Sequence, residues 1–267
     1  MRWQAQTISA RGVRLHVRSV LEPLAPPVLL LHGLGVSGSV LQPFARRLLP
    51  ELAAVVPDLR GHGQSDSPAS GYAPADYAGD MAELIQAELK APVPIVGHSL
   101  GALVGMQLAA SQPELVDWLV LLDPPLDPET RNSEVESVYR LRHAPAGELE
   151  AYLLERNPGG GELLANTLAR EFRQAADATF ETMLESGPFA AMPLQARTLV
   201  IQSDPARGGV LGDRAAAAAV ATLGHATLVK IEGAPHAVHA SHGAEVASAI
   251  RAFAGYSSAD ASSGPSL

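Results

Sequence analysis

The apolar positions of this chain change their spacing along its length, and that spacing separates strands from helices. From Val13 to Val20, apolar Val13, Leu15 and Val17 alternate with polar Arg14, His16 and Arg18. Such alternation predicts a strand with one face in solvent, near a sheet edge. Later runs are unbroken: Val28-Leu29-Leu30-Leu31, Ala54-Val55-Val56, Ile95-Val96, Leu119-Val120-Leu121-Leu122 and Thr198-Leu199-Val200-Ile201. Short continuous apolar runs predict strands covered on both faces, as in a parallel sheet. Thr227 to Ile231 predicts one more strand.

Helical spacing falls between these runs. Tyr77, Met81, Leu84 and Ile85 share one helix face, and Val246, Ile250 and Phe253 share another. Residues 99–112 are small and apolar nearly all round, which predicts a buried helix. Strands alternating with helices imply an α/β fold, a doubly wound and mostly parallel sheet.

One segment breaks the alternation. Residues 125–197 contain no convincing strand but carry charge-rich helical patterns at Ser133–His143, Gly147–Arg156, Glu162–Ala176 and Thr179–Leu184. Asn157-Pro158-Gly159-Gly160-Gly161 separates two of them. The stretch is too long for one crossover, so it reads as an inserted all-helical cap. The expected organisation is therefore a core of residues 1–124 and 198–254, a cap of 125–197, and a Ser- and Gly-containing disordered tail of 255–267.

Composition narrows the chemistry. The absence of cysteine excludes disulfides, thiolate catalysis and Cys-ligated zinc. A formal net charge of −9 argues against nucleic acid and anionic membranes as partners. No apolar run reaches the roughly 18 residues that span a bilayer, and no apolar stretch follows Met1-Arg2-Trp3-Gln4 as a signal peptide would require. The expectation is a cytoplasmic protein, monomer or homodimer, acting on a small molecule.

The strand at Pro94-Ile95-Val96 runs through Gly97-His98-Ser99-Leu100-Gly101 into a helix. A G-x-S-x-G turn in that context projects a serine from a sharp bend, with glycines where backbones pass closely. The first helical N–H groups then face the reacting atom. His32-Gly33-Leu34-Gly35 follows an earlier buried strand and could aim a second amide there, so Leu34 and Leu100 are the candidate oxyanion-hole donors. The His32 side chain itself reads as satisfying local backbone groups.

A base must come from elsewhere. His236 is the first histidine after the last strand, ahead of His239 and His242, on a loop at the carboxyl edge of the sheet. An imidazole near neutrality suits the abstraction of a hydroxyl proton. The three histidines lack a matching ligand set elsewhere, so no metal is expected. For the acid, Asp204 and Asp123 both sit just past buried strands and both precede His236. Asp204 is preferred because it follows the strand next to the one delivering His236. Asp123 is the alternative, with a turn or cap role before Pro124 as its ordinary reading, and Asp213 comes third. Asp58-Leu-Arg60-Gly-His62-Gly-Gln-Ser65 lacks the lysine and spacing of a phosphate loop and reads as a tight structural loop beside the site.

Taken in order, His32-Gly33-Leu34-Gly35, Asp58-x-Arg60-Gly-His-Gly-x-Ser65, Gly97-His-Ser99-Leu-Gly101 and the late His236 resemble the α/β-hydrolase superfamily, in its capped bacterial serine-hydrolase branch. The resemblance covers residues 10–254, the cap by position only. It implies an eight-stranded sheet and a Ser-His-Asp triad without cofactor. Carboxylesterases, lactonases, meta-cleavage C–C hydrolases and cofactor-free haloperoxidases share that pattern. Haloalkane dehalogenases and epoxide hydrolases place Asp where Ser99 stands. Two positions depart from the pattern: Ala206 stands where an acid is common, and Pro235 stands where Gly usually precedes the base.

The expected activity is hydrolysis of a small carboxylic ester. C–C bond or lactone hydrolysis by the same groups is the alternative, and a non-catalytic ligand-binding protein of the same fold is the third reading. Leu153, Leu154, Phe172, Phe180 and Met183 are the cap residues expected to line an apolar pocket, or else to pack the cap's own core.

Overall fold

The unbroken apolar runs become the middle of an eight-stranded sheet ordered β1-β2-β4-β3-β5-β6-β7-β8. The structure, a computed structural model, describes residues 3–20, 25–90, 92–157, 159–187 and 189–256. The strands are β1 (Gln4–Ala10), β2 (Val13–Ser19), β3 (Pro27–Leu31), β4 (Ala53–Pro57), β5 (Val93–His98), β6 (Val116–Leu122), β7 (Arg197–Ser203) and β8 (Ala226–Ile231). From β4 to β8 every neighbouring pair is parallel, while β1–β2 and β2–β4 are antiparallel.

The runs are continuous because both faces are covered. Leu29 and Leu31 face one buried cluster with Leu100, Leu103, Tyr77 and Met81, while Val28 and Leu30 face another with Phe44, Trp118, Val246 and Ile250. Each fully buried leucine contributes roughly 2 kcal/mol of transfer free energy, so neither face could be left open. Helices α1 (Gln42–Ala45), α2 (Pro74–Leu84), α3 (Leu100–Ser111), α8 (Asp213–Leu223), α9 (Val238–Ser241) and α10 (Gly243–Ala254) cover the two faces. Between β6 and β7 stand α4 (Pro128–Arg142), α5 (Glu148–Arg156), α6 (Gly161–Gln174) and α7 (Asp177–Glu185).

β1 has no clear sequence signal. Of its residues only Ile8 and Ala10 are buried, and the strand exists as the outer arm of a hairpin with β2. Arg11 and Gly12 turn the chain with positive φ at both positions, the geometry that matches the twist of paired strands. The tail expected at 255–267 lies, from residue 257 on, outside the described residues.

The Asp58–Ser65 loop is held as a structural element. Asp58 is fully buried and accepts hydrogen bonds from Arg18 Nη1 (2.6 Å), the Gly38 amide (2.8 Å) and the Gln64 amide (2.9 Å). Burial alone would raise its pKa, but Arg18, His32 and the Gln64 amide hold it below the usual carboxylate value. Arg60 points away from the loop and grips Asp80 of α2 through two nitrogens, at 2.6 and 2.5 Å. Asp80 has no exposed surface and Arg60 almost none.

Breaking a buried pair leaves the partner charge uncompensated. Asp80→Ala is therefore expected to destabilise the fold by about 3 kcal/mol, read as a lower urea midpoint with unchanged slope. An unshifted midpoint would show that Arg60 finds compensation elsewhere.

Candidate active site

The parallel register of β5, β6 and β7 brings two candidate site positions to one edge. His98 lies opposite Leu122, and Leu122 opposite Ile201. The ladder continues one step beyond the strands: the Ser99 amide donates to Leu122 O (3.0 Å) and the Asp123 amide to Ile201 O (2.8 Å). Ser99 and Asp123 are thus next to each other at the carboxyl ends of adjacent strands, where open α/β sheets hold their ligands.

Ser99 sits at φ 52°, ψ −114°, a conformation that a non-glycine residue avoids unless its surroundings impose it. Close packing imposes it here. A Cβ added to Gly97 would lie 2.2 Å from Gly101 O, and one added to Gly101 would lie 2.3 Å from Leu31 O. The bend thus requires glycine at both places. Leu100 opens α3, so its N–H belongs to the first turn, whose donors have no intrahelical acceptor. Leu34 lines the same cavity as Ser99.

Asp123 Oδ2 stands 2.7 Å from His236 Nδ1. The carboxylate is fully buried and also accepts from the amides of Ser203 (3.3 Å), Val210 (2.9 Å) and Leu211 (3.3 Å). A carboxylate can only accept, so Nδ1 carries the imidazole proton and Nε2 is left as an acceptor. Asp204, preferred on sequence, does not reach His236. Its Oδ1 accepts from the Ala206 amide (2.9 Å) and its Oδ2 from the Gly233 amide (3.0 Å). The reason is local: Asp204 caps the short turn Pro205–Arg207, so its side chain folds onto its own backbone. Those two amides lower its pKa. Asp213 is likewise engaged, by Gln202 Nε2 (2.7 Å) and Lys230 Nζ (3.2 Å).

Ser99 and His236 line one cavity of about 430 Å³. The inserted helices form much of its wall, with Val135 and Val138 of α4, Leu153 of α5, Phe172 of α6 and Phe180 of α7. Of the cap residues expected there, Leu153, Phe172 and Phe180 line it, and Met183 lines a smaller pocket that also contains Ser99 and His236. Leu154 packs instead against the cluster of Leu141, Leu149 and Leu153 within the insertion.

The ring of His98, the residue before Ser99, packs at an angle against two other histidine rings. The His98 ring lies 4.7 Å from that of His236 and 4.5 Å from that of His239. His98 Nε2 donates to His236 O (3.0 Å), since a carbonyl can only accept, and this pins the loop that carries the imidazole. Sequence reasoning did not single out that contact, because nothing in the order of residues joins 98 to 236. Burial, then the neighbouring histidines, push the His98 pKa well below its ordinary value; burial pushes that of His239 down to about 3. His32 plays the structural part expected of it: Nε2 accepts from the Leu59 amide (2.9 Å) and Nδ1 donates to Gly33 O (2.8 Å). No cluster of residues suited to a metal ion occurs among the described residues. No helix among them is long and apolar enough to cross a membrane.

The profile of the Alpha/beta hydrolase family matches residues 28–249. The chain belongs to that family. Its relatives include the 2-(acetamidomethylene)succinate hydrolase of Mesorhizobium japonicum, 40% identical over 98 residues, 37% of this chain and 35% of that protein. A putative carbamate hydrolase of Serratia proteamaculans is 40% identical over 112 residues, 41% of this chain and 42% of that one. The chain thus matches less than half the length of these curated relatives. Among solved structures, E-2-(acetamidomethylene)succinate hydrolase superimposes with a TM-score of 0.79 at 24% identity, covering 95% of this chain and 100% of that one. The enol-lactonase from Burkholderia xenovorans LB400 gives 0.76 at 18% identity, covering 94% and 100%. Identities that low show a shared fold.

The buried histidines have a consequence for stability. Burial holds both His62 and His239 near pKa 3 in the folded state, against about 6.5 in an unfolded chain. Below about pH 6.5 the unfolded chain takes up protons that the folded chain refuses, so stability falls as pH drops from there toward 3. Each histidine contributes up to about 1.4 kcal/mol per pH unit within that window. His239→Leu should make the decline shallower, measured by urea unfolding between pH 6.5 and pH 4.5; an unchanged slope would contradict the assignment.

Proposed function

We propose that this protein hydrolyses a small carboxylic ester through an acyl-enzyme on Ser99. One observation carries the reading. A serine held on a strained bend shares a cavity with an imidazole whose Nδ1–H is fixed by a buried carboxylate. In the first half-reaction, Ser99 Oγ attacks the ester carbonyl while His236 Nε2 takes the hydroxyl proton. Asp123, in the role first given to Asp204, keeps the imidazole in the right tautomer and stabilises the imidazolium that forms.

The amides of Leu34 and Leu100 receive the developing oxyanion. Each such donor supplies about 3 kcal/mol in a water-poor site. His236 then gives its proton to the departing alcohol. A water molecule, deprotonated by the same nitrogen, attacks the acyl-enzyme and frees the acid. The apolar wall built by α4 to α7 suits a modest acyl or alcohol group, and those helices act as a cap over the reacting atoms. The relatives named as hydrolases, and the enol-lactonase of the same fold, are consistent with attack on an activated carbonyl.

With a short-chain p-nitrophenyl ester, Ser99→Ala is expected to lose turnover by at least about 10⁴-fold at unchanged thermal stability. Full turnover in a folded Ser99→Ala would remove Ser99 from the reaction. The acid is tested by comparison. Asp123→Asn should lower kcat about 10³- to 10⁴-fold, whereas Asp204→Asn should stay within a few-fold of the parent. The reverse ranking would restore Asp204.

A further inference from the structure

The loop after β3, which carries Leu34, is held by two carboxylates on consecutive amides. One comes from the loop just past β4 and the other from the inserted helices. The Gly38 amide donates to Asp58 Oδ1 at 2.8 Å. The Ser37 amide donates to Glu171 Oε2 of α6, also at 2.8 Å. Glu171 Oε1 accepts in addition from Ser37 Oγ (3.0 Å) and Ser39 Oγ (2.8 Å). Ser37 is buried, and these contacts join residues more than 130 positions apart in the chain.

Packing strengthens the same junction. Gly35 has φ +78°, and a Cβ there would lie 2.3 Å from Phe172 Cδ1 and 2.9 Å from Phe180 Cζ. The aromatic rings of α6 and α7 therefore press directly on the backbone one residue beyond Leu34. Glu171 and Phe172, neighbours on α6, hold the loop from two sides: one by charge-assisted hydrogen bonds and one by contact.

We propose that Glu171 is a positioning residue for the oxyanion hole. It ties the Leu34 loop to the inserted helices, so that the Leu34 amide comes into register when those helices are docked. The proposal rests on the acyl-transfer reading above. It adds a specific dependence: catalytic geometry at one donor is set by a side chain that touches neither the nucleophile nor the base. A displaced donor weakens binding of the oxyanion more than binding of the neutral ester, so loss of Glu171 lowers kcat more than it raises KM.

The test is Glu171→Gln in the full chain, since a glutamine places an NH₂ against donors that need an acceptor. Two inhibitors separate positioning from general loosening. A trifluoromethyl ketone adds the serine and presents a tetrahedral oxyanion; the matching secondary alcohol occupies the cavity without one. Expected are a fall in kcat of about tenfold, KM within about twofold, and ketone Ki raised about tenfold with alcohol Ki unchanged. Amide hydrogen exchange across residues 33–39 should also quicken.

Unchanged kinetics and unchanged exchange in a folded Glu171→Gln would overturn the proposal. So would an equal rise in both inhibition constants, because that marks a distorted cavity. If Glu171→Gln does not fold, Ser37→Ala combined with Ser39→Ala removes the two hydroxyl donors and must show the same split to a smaller degree. A parent protein with neither ester turnover nor ketone binding would overturn the acyl-transfer reading and this role with it. A competent parent with an unresponsive Glu171→Gln would overturn this role alone.

Discussion

The structure is organised around a buried negative charge at the carboxyl edge of the sheet. Asp123 has no exposed surface, so its carboxylate must be met from inside the protein. One backbone amide from the last residue of β7, two from the chain after it and one imidazole from the chain after β8 meet it. That demand fixes much else. The segments after β7 and β8 must converge on the end of β6, and His236 must present one ring nitrogen to the carboxylate and leave the other available. The parallel register then sets Ser99 beside the same point. The pair is both a folding constraint and the origin of the site's polarity.

Much of the fold was legible in the sequence because the physical reason was local. Unbroken apolar runs such as Val28–Leu31 mark strands buried on both faces, and within the 99–112 stretch Leu100–Ser111 forms a helix buried nearly all round, as its composition required. The turn at Ser99 was equally legible, since close backbone approach leaves glycine as the residue that fits at 97 and 101. β1 was not, because Gln4–Ala10 buries little and depends on its hairpin partner for existence.

The candidate site divided along the same line. The placement of Ser99 and His236, after β5 and β8, could be read from the elements they follow. The choice between Asp123 and Asp204 could not, because it turns on strand order and on where each side chain folds. Asp204 precedes Pro205 and caps its own turn, a local outcome that Asp-Pro could have suggested. Asp123 also precedes a proline, yet its positive φ of 44° turns it toward the loops of β7 and β8. Two identical dipeptides thus take opposite roles through tertiary contacts.

The helices between β6 and β7 do more than link two strands. They supply apolar wall to the cavity, and through Glu171 and Phe172 they touch the loop that carries Leu34. Covalent labelling tests the central claim most directly. Treatment with a fluorophosphonate, followed by peptide mass mapping, should give one adduct, located on Ser99, and the rate of its formation should collapse in Asp123→Asn. Absence of an adduct, or its appearance at another residue, would contradict the convergence of serine, imidazole and buried carboxylate described above.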